Sequence, residues 1–175
     1  MDNLCFVLPT IEHEDDAIKY VEEFIKNESQ VHGSGGLYKY VDDYKKWLEK
    51  IKRELSYSGN EKVPANTYFV NRIKDNKIVG MVNIRHRTND YLFVKGGYIG
   101  YSVRPTERRK GYATEILRMG LVELKNMGIE KVLLTCDQDN IGSVKTIKNN
   151  GGELENELLD VETGKMIQRY WIKLI

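Results

Sequence analysis

The chain has 175 residues, 41% of them hydrophobic and 30% charged, which suits one well-buried core and excludes a disordered or fibrous protein. With 27 Lys plus Arg against 26 Asp plus Glu the formal net charge is +1, so no global basic field would hold nucleic acid or an anionic membrane. Two cysteines, Cys5 and Cys136, are too few for a disulfide framework, and no run reaches the roughly eighteen apolar residues that span a bilayer.

The first apolar run, Leu4 to Leu8, reads as a strand closed by Pro9. No basic residue precedes it, so it lacks the pattern of a signal peptide, and the expected compartment is the cytosol. Glu12, Glu14 and Asp15 then suit a helix start, and Ala17, Ile18, Val21, Phe24 and Ile25 recur at helical spacing, predicting a helix to about Asn27. The Gly33-Ser34-Gly35-Gly36 stretch breaks it. A second helix fits Tyr40, Val41, Tyr44, Trp47, Leu48, Ile51 and Leu55, with Asp42 and Asp43 early and Lys50, Lys52 and Arg53 late.

Two strands follow, Thr67 to Ile73 and Ile78 to Arg85, joined by the turn Lys74-Asp75-Asn76-Lys77. Thr88-Asn89-Asp90 is a further turn, and Tyr98 to Val103 is a fourth strand that Pro105 must end, because proline cannot donate to a ladder. The clearest amphipathic helix carries Ala113, Ile116, Leu117, Gly120, Leu121, Leu124 and Met127 and closes at Gly128. Lys131 to Cys136 is a nearly continuous apolar run, as in a strand covered on both faces. A short helix with Ile141, Val144 and Ile147 starts at Asp139 or Asn140, and strands at Glu153 to Leu159 and Met166 to Leu174 finish the chain. The order predicts a single α+β domain over residues 1–175, with the fourth and fifth strands at the centre of its sheet. Tyr170 and Trp171 on the last strand either pair across a homodimer or pack internally.

Between the fourth strand and the strongest helix lies Arg108-Arg109-Lys110-Gly111-Tyr112-Ala113. A helix start exposes N–H groups with no internal partner and a partial positive charge, so a phosphate is its natural guest. Gly111 permits close approach of the backbone, and the three basic side chains add charge. The same residues also suit a solvated basic turn. A phosphate loop of the nucleotide-hydrolase type needs glycines before a Lys-Ser or Lys-Thr pair, and a dinucleotide fold needs companion glycines; both are missing here. No Cys/His cluster has the spacing of metal ligands, and neither cysteine has the surroundings of a nucleophile.

The stretch Tyr98-Ile99-Gly100-Tyr101-Ser102-Val103-Arg104-Pro105, followed by Arg108 to Ala113, resembles the acetyl-CoA signature of the GCN5-related N-acetyltransferases (GNAT): Gln or Arg, two residues, Gly, one residue, then Gly or Ala. The order of elements over nearly the whole chain is similar to theirs, as is the asparagine-bearing helix with Asn140 and Ser143. The resemblance implies a mixed, mostly antiparallel sheet of about seven strands with about four helices, the fourth strand bending at a bulge and splaying from the fifth. It implies acetyl-CoA as acyl donor, an amine acceptor and no metal. Backbone groups of Tyr101, Ser102 and Val103 would pair with the pantetheine arm, the amides of Arg108, Arg109, Lys110, Gly111, Tyr112 and Ala113 would hold the diphosphate, and Asn140 and Ser143 would contact the arm.

Two parts of the family pattern are missing. The tyrosine expected seven residues after Asn140, which protonates the departing thiolate, is replaced by Ile147, and the fourth strand carries no carboxylate. Tyr98, Asp137 and a chain of waters are the candidate bases, with structural roles in packing or in a turn as the alternatives for the two side chains. The missing groups also allow a non-catalytic acyl-CoA-binding module. His86 could line the acceptor side, whereas His13 and His32 stand in no informative context. The acceptor side is expected at Gly33 to Gly36, the second helix with Tyr38, Tyr40 and Tyr44, and the turn Arg87 to Gly97. Their mixed charge does not distinguish peptide, polyamine, amino sugar and amino acid.

Overall fold

A computed structural model describes residues 2–174 as seven strands and five α-helices. In chain order they are β1 (Leu4–Val7), α1 (Glu14–Lys26), α2 (Tyr44–Glu54), β2 (Ala65–Arg72), β3 (Lys77–Arg85), α3 (Asp90–Val94), β4 (Ile99–Val103), α4 (Tyr112–Asn126), β5 (Lys131–Asp137), α5 (Ile141–Asn149), β6 (Glu153–Asp160) and β7 (Lys165–Lys173). Short 3-10 turns precede α1, α2 and α4. The predicted α+β class and splayed seven-strand arrangement are what the chain adopts.

The strands form two antiparallel sheets, ordered β1-β2-β3-β4 and β5-β7-β6. The fourth and fifth strands are therefore each the edge of one sheet, and they meet where the Tyr98 N–H donates to the Leu133 carbonyl at 2.9 Å. Beyond that bond each is paired on its other side alone, β4 with β3 and β5 with β7, so the two edges diverge. The expected bulge is not on β4, whose register against β3 is unbroken; the shifts fall at Val70/Asn71 in β2 and Leu154/Asn156 in β6.

Two apolar cores hold the layers together. Ile116, Leu117, Leu121 and Leu124 of α4 are buried with Val82, Ile84, Ile99, Val132, Leu134 and Tyr170, so one helix stripe closes the same face of both sheets. Burying each such side chain contributes about 1.5–3 kcal/mol. On the opposite face of the first sheet, Tyr20 and Phe24 of α1 pack with Trp47 and Ile51 of α2 against Phe69 and Met81. Tyr170 and Trp171 are used within the chain: β7 is the middle strand of its sheet, Tyr170 is fully buried, and Lys131 lies over the Trp171 ring.

Two differences from the sequence reading have local causes. The second helix begins at Tyr44 rather than Tyr40, because the Asp43 carboxylate accepts the Lys46 N–H at 3.2 Å and caps the first turn, leaving Asp42 outside. The turn at Thr88-Asn89-Asp90 continues into α3, started by the Asn89 side chain accepting from the Leu92 N–H at 2.9 Å. Five residues with only Leu92 buried are too few to show a helical period.

Candidate functional site

The divergence of β4 and β5 opens a cleft of about 950 Å³. Along one wall runs the free edge of β4. Arg85 N–H donates to Tyr98 O and Arg104 N–H to Val79 O, so the even-numbered residues of β4 pair with β3 and Ile99, Tyr101 and Val103 turn their backbone groups to the opening. Ser102 is different: its backbone faces β3, and its hydroxyl bonds the Tyr20 hydroxyl at 3.0 Å. Tyr101 hydrogen-bonds Ser143 at 3.0 Å, tying β4 to the start of α5, and burial pushes its phenol up to about 12.

The end of this wall is the start of α4. Gly111 sits in the left-handed region at φ 80°, a conformation that glycine adopts without a Cβ clash, and no side chain caps the helix. The N–H groups of its first turn are left without internal partners. Two of the three basic side chains nearby are turned elsewhere. Arg108 donates to Ser29 Oγ at 2.8 Å and lies over the Phe24 ring, while Lys110 pairs with Glu107 at 2.7 Å. Arg109 is exposed and, like Arg108, Gly111, Tyr112 and Ala113, lines the cleft; Lys110 does not.

Glu107 explains why a carboxylate interrupts this basic run. Nearly fully buried, it accepts from Arg72 at 2.8 Å, Lys77 at 2.7 Å and Lys110 at 2.7 Å, pinning the loop before α4 to the β2–β3 hairpin. Burial raises its pKa, but hydrogen bonds from Lys110 and Lys77 outweigh this and bring it to about 2, below the ordinary 4.5. The stabilisation is thus fully present above pH 4.5 and lost as the pH falls through 2. Glu107→Gln should cost roughly 2–3 kcal/mol at neutral pH, below the several kcal/mol of a fully buried pair because Lys77 and Lys110 keep solvent contact. Thermal melts of both proteins should converge between pH 4.5 and 2; a constant gap would discard this role.

Asn140 and Ser143 also line the cleft, with the Asn140 side chain accepting the Ser143 N–H at 3.1 Å as the cap of α5. Ile147 is buried in the first core, so the position that carries a tyrosine in the family is a packing position here. Cys136 lines the cleft with its thiol pushed up by burial to about 11, which keeps it protonated and unsuited to nucleophilic attack. Of the candidate bases, Asp137 lines the cleft and pairs with Lys165 at 3.2 Å. Tyr98 lies outside the lining and packs against the first core.

A second pocket of about 580 Å³ adjoins the first, and His32, Gly33, Arg85 and Tyr91 border both. Gly33 fits only without a side chain, since at φ 67° a Cβ would overlap the Gly100 carbonyl on the β4 edge. Of the residues expected to face an acceptor, Gly33 to Gly36, Tyr38, Asn89 and Tyr91 border this pocket. Tyr44 is instead buried, donating to Thr10 O at 2.9 Å, and His86 bonds Asn66 at 2.6 Å outside both pockets. His32, which no motif singles out, keeps an exposed surface at the neck between the pockets. Burial of its ring draws its pKa below the ordinary 6.5, and the charge of Asp137 works against that. Its only sequence signal is that it directly precedes the glycine loop.

Among the described residues no group of His, Cys, Asp and Glu could hold a metal ion, and no helix is long and apolar enough to cross a membrane. The chain superposes along nearly its whole length on solved structures. The microcin C7 self-immunity acetyltransferase MccE, in complex with acetyl-CoA and AMP, shares 19% identity over 99% of this chain and 94% of that one, with a TM-score of 0.70. The Salmonella typhimurium acetyltransferase that modifies the N-terminal serine of ribosomal protein L7/L12 shares 16% over 98% and 95%, at 0.73. The spermidine/spermine N-acetyltransferase SpeG from Vibrio cholerae, in mutant form, shares 12% over 97% and 93%, at 0.65. At such identities the likeness is one of fold. No curated protein matches in sequence. The family model of the acetyltransferase (GNAT) family matches residues 17–151, from α1 to the turn after α5, a span that includes both edges of the cleft and the start of α4. The chain therefore belongs to the acetyltransferase (GNAT) family.

Proposed function

We propose that the protein transfers an acetyl group from acetyl-CoA to an amine by direct attack in a ternary complex, with residues 1–175 acting as one domain in the cytosol. The observation that carries this reading is the uncapped start of α4, which opens onto the cleft with Gly111 left-handed and the Arg108 and Lys110 side chains drawn aside. Free N–H groups at a helix start suit a diphosphate. Acetyl-CoA would supply a thioester whose carbonyl carbon accepts the amine.

The chain's own residues would do the rest. N–H groups of Gly111, Tyr112 and Ala113, with Arg109 beside them, hold the diphosphate. The outward-facing backbone at Tyr101 and Val103, where the Val103 carbonyl accepts from Arg108 Nε at 3.3 Å, pairs with the amide-bearing arm as an added strand, and Asn140 and Ser143 bound the arm from α5. One N–H of that edge faces the developing oxyanion. His32, neutral at pH 7 because its pKa is drawn down, takes the proton of the attacking amine. Tyr101, which keeps its proton until about 12, shares with Ser143 a hydroxyl pair able to donate to the departing thiolate in place of the missing tyrosine. Lys110 serves the loop through Glu107 rather than the ligand.

Release of free coenzyme A thiol across a panel of amines tests the reading. Turnover on at least one amine class is the expected result; tight binding of acetyl-CoA with no release on any of them would point to a non-catalytic module.

A further inference from the structure

The neck between the two pockets holds a cation that the chain itself does not neutralise. Arg85, the last residue of β3, borders both pockets and is half-buried. Its Nη1 donates to the carbonyls of Gly96 at 2.8 Å and Gly97 at 2.9 Å, which fixes the guanidinium plane. Among the described residues no carboxylate lies within ion-pair distance of it, and neither Nε nor Nη2 has a hydrogen-bond partner. Both atoms still reach free space, since neither is among the buried polar atoms left without partners. Nη2 lies over the β4 edge, 3.6 Å from where a Cβ on Gly100 would stand.

Lys95, the other half-buried cation lining the cleft, is matched, and so is the exposed Lys165. Lys95 pairs with Asp160, and Lys165 with Asp137 and Asp139. In the second pocket Glu54 is paired with Lys50. Among the described residues Arg85 is thus the half-buried Lys or Arg of the two pockets that has no carboxylate partner, and it stands at the neck with His32. An Nε/Nη2 edge with both donors free is the side of a guanidinium that grips two oxygens of one oxyanion at once. Burial also draws the Arg85 pKa down, which an incoming anion would reverse.

We propose that Arg85 is the anchor for an oxyanion carried by the acceptor, so that the substrate is an amine bearing a carboxylate or a phosphate close to its amino group, not a polyamine. This deepens the acetyl-transfer reading and rests on it for the role of the amine. Held on Arg85, the anion sets the amino group in the neck that His32 borders. Selectivity follows by charge: a polycation would meet Arg85 unscreened, whereas an anionic acceptor gains a charge-assisted fork.

Matched acceptors test it. Thiol release would be measured with glycine, glycinamide, phosphoethanolamine, ethanolamine and spermidine, on the wild type, Arg85→Gln and Arg85→Lys. The wild type should prefer glycine or phosphoethanolamine to its uncharged partner by roughly 100-fold in kcat/KM, the size of a desolvated charged fork. Arg85→Gln should erase that preference through KM, and Arg85→Lys should restore part of it. Which anionic partner is favoured identifies carboxylate or phosphate. Equal losses on all acceptors in Arg85→Gln, with a lowered melting temperature, would make Arg85 a structural clip, and spermidine as the best acceptor would overturn the proposal outright. Calorimetry of glycine, phosphoethanolamine and inorganic phosphate on the coenzyme A-loaded protein separates the two claims. Anion binding that Arg85→Gln abolishes, without any turnover, sinks acetyl transfer and keeps the anion site; turnover without Arg85-dependent anion binding does the reverse.

Discussion

Gly111→Trp should abolish measurable acetyl-CoA binding while the protein stays folded. The backbone at this position has φ 80°, so any side chain there carries strain of about 1–3 kcal/mol, which a protein with two packed cores can absorb. The larger consequence is at the helix start. An indole beside the first turn of α4 would cover N–H groups that no side chain of the chain caps, so a diphosphate loses those donors and the approach to them. Each hydrogen bond to a charged group contributes roughly 1.5–3 kcal/mol, and losing two weakens binding by about 100-fold or more. Calorimetry with acetyl-CoA reads the affinity, and circular dichroism with a melt reads the fold. An affinity within a few-fold of the wild type would remove the diphosphate from this helix start.

The second large effect concerns the proton. His32→Gln keeps a polar side chain at the neck and removes the base, so kcat should fall roughly 100-fold, within the range that a positioned general base contributes. Acetyl-CoA affinity should not move, because His32 stands at the neck with the second pocket and the proposed diphosphate site is the α4 start. The pH dependence has a definite sign. Burial places the His32 pKa below 6.5, so the neutral imidazole predominates at pH 7 and is lost on acidification. The wild type should show an acid limb in kcat/KM below pH 6.5 that the variant lacks, whereas a rise toward the pKa of the acceptor amine should persist in both. A variant with near wild-type turnover and the same acid limb would transfer the role to Asp137 or to water.

Asp137 illustrates why base assignment needs coordinates. It stands at the end of β5 and borders the cleft, yet Lys165 from β7 is 3.2 Å away and Asp139 shares that lysine. That lysine occupies the Asp137 carboxylate, whereas the His32 ring stands at the neck between the two pockets. Tyr98 reads as the first residue of the fourth strand in the sequence but stands just before β4, where its N–H makes a backbone bond that joins the two edges and its ring packs on the core. The bond has no sequence signature, because its partner, Leu133, is more than thirty residues away.

What the sequence determined by itself was local. Helical and strand periods located most elements, Pro105 ended β4, Gly128 ended α4, and the run from Arg108 to Ala113 with Gly111 marked a helix start fit for phosphate, since these depend on propensity and on N–H groups that the sequence leaves uncapped. Tertiary structure decided the rest. It committed Lys110 to Glu107, turned Ser102 toward Tyr20, buried Ile147 in the core and brought His32 and Arg85, fifty-odd residues apart, to one neck. The physical reason is that a charge or a hydroxyl acquires a role only from its neighbours, and in this fold those neighbours are set by two sheet edges that separate after a single shared hydrogen bond.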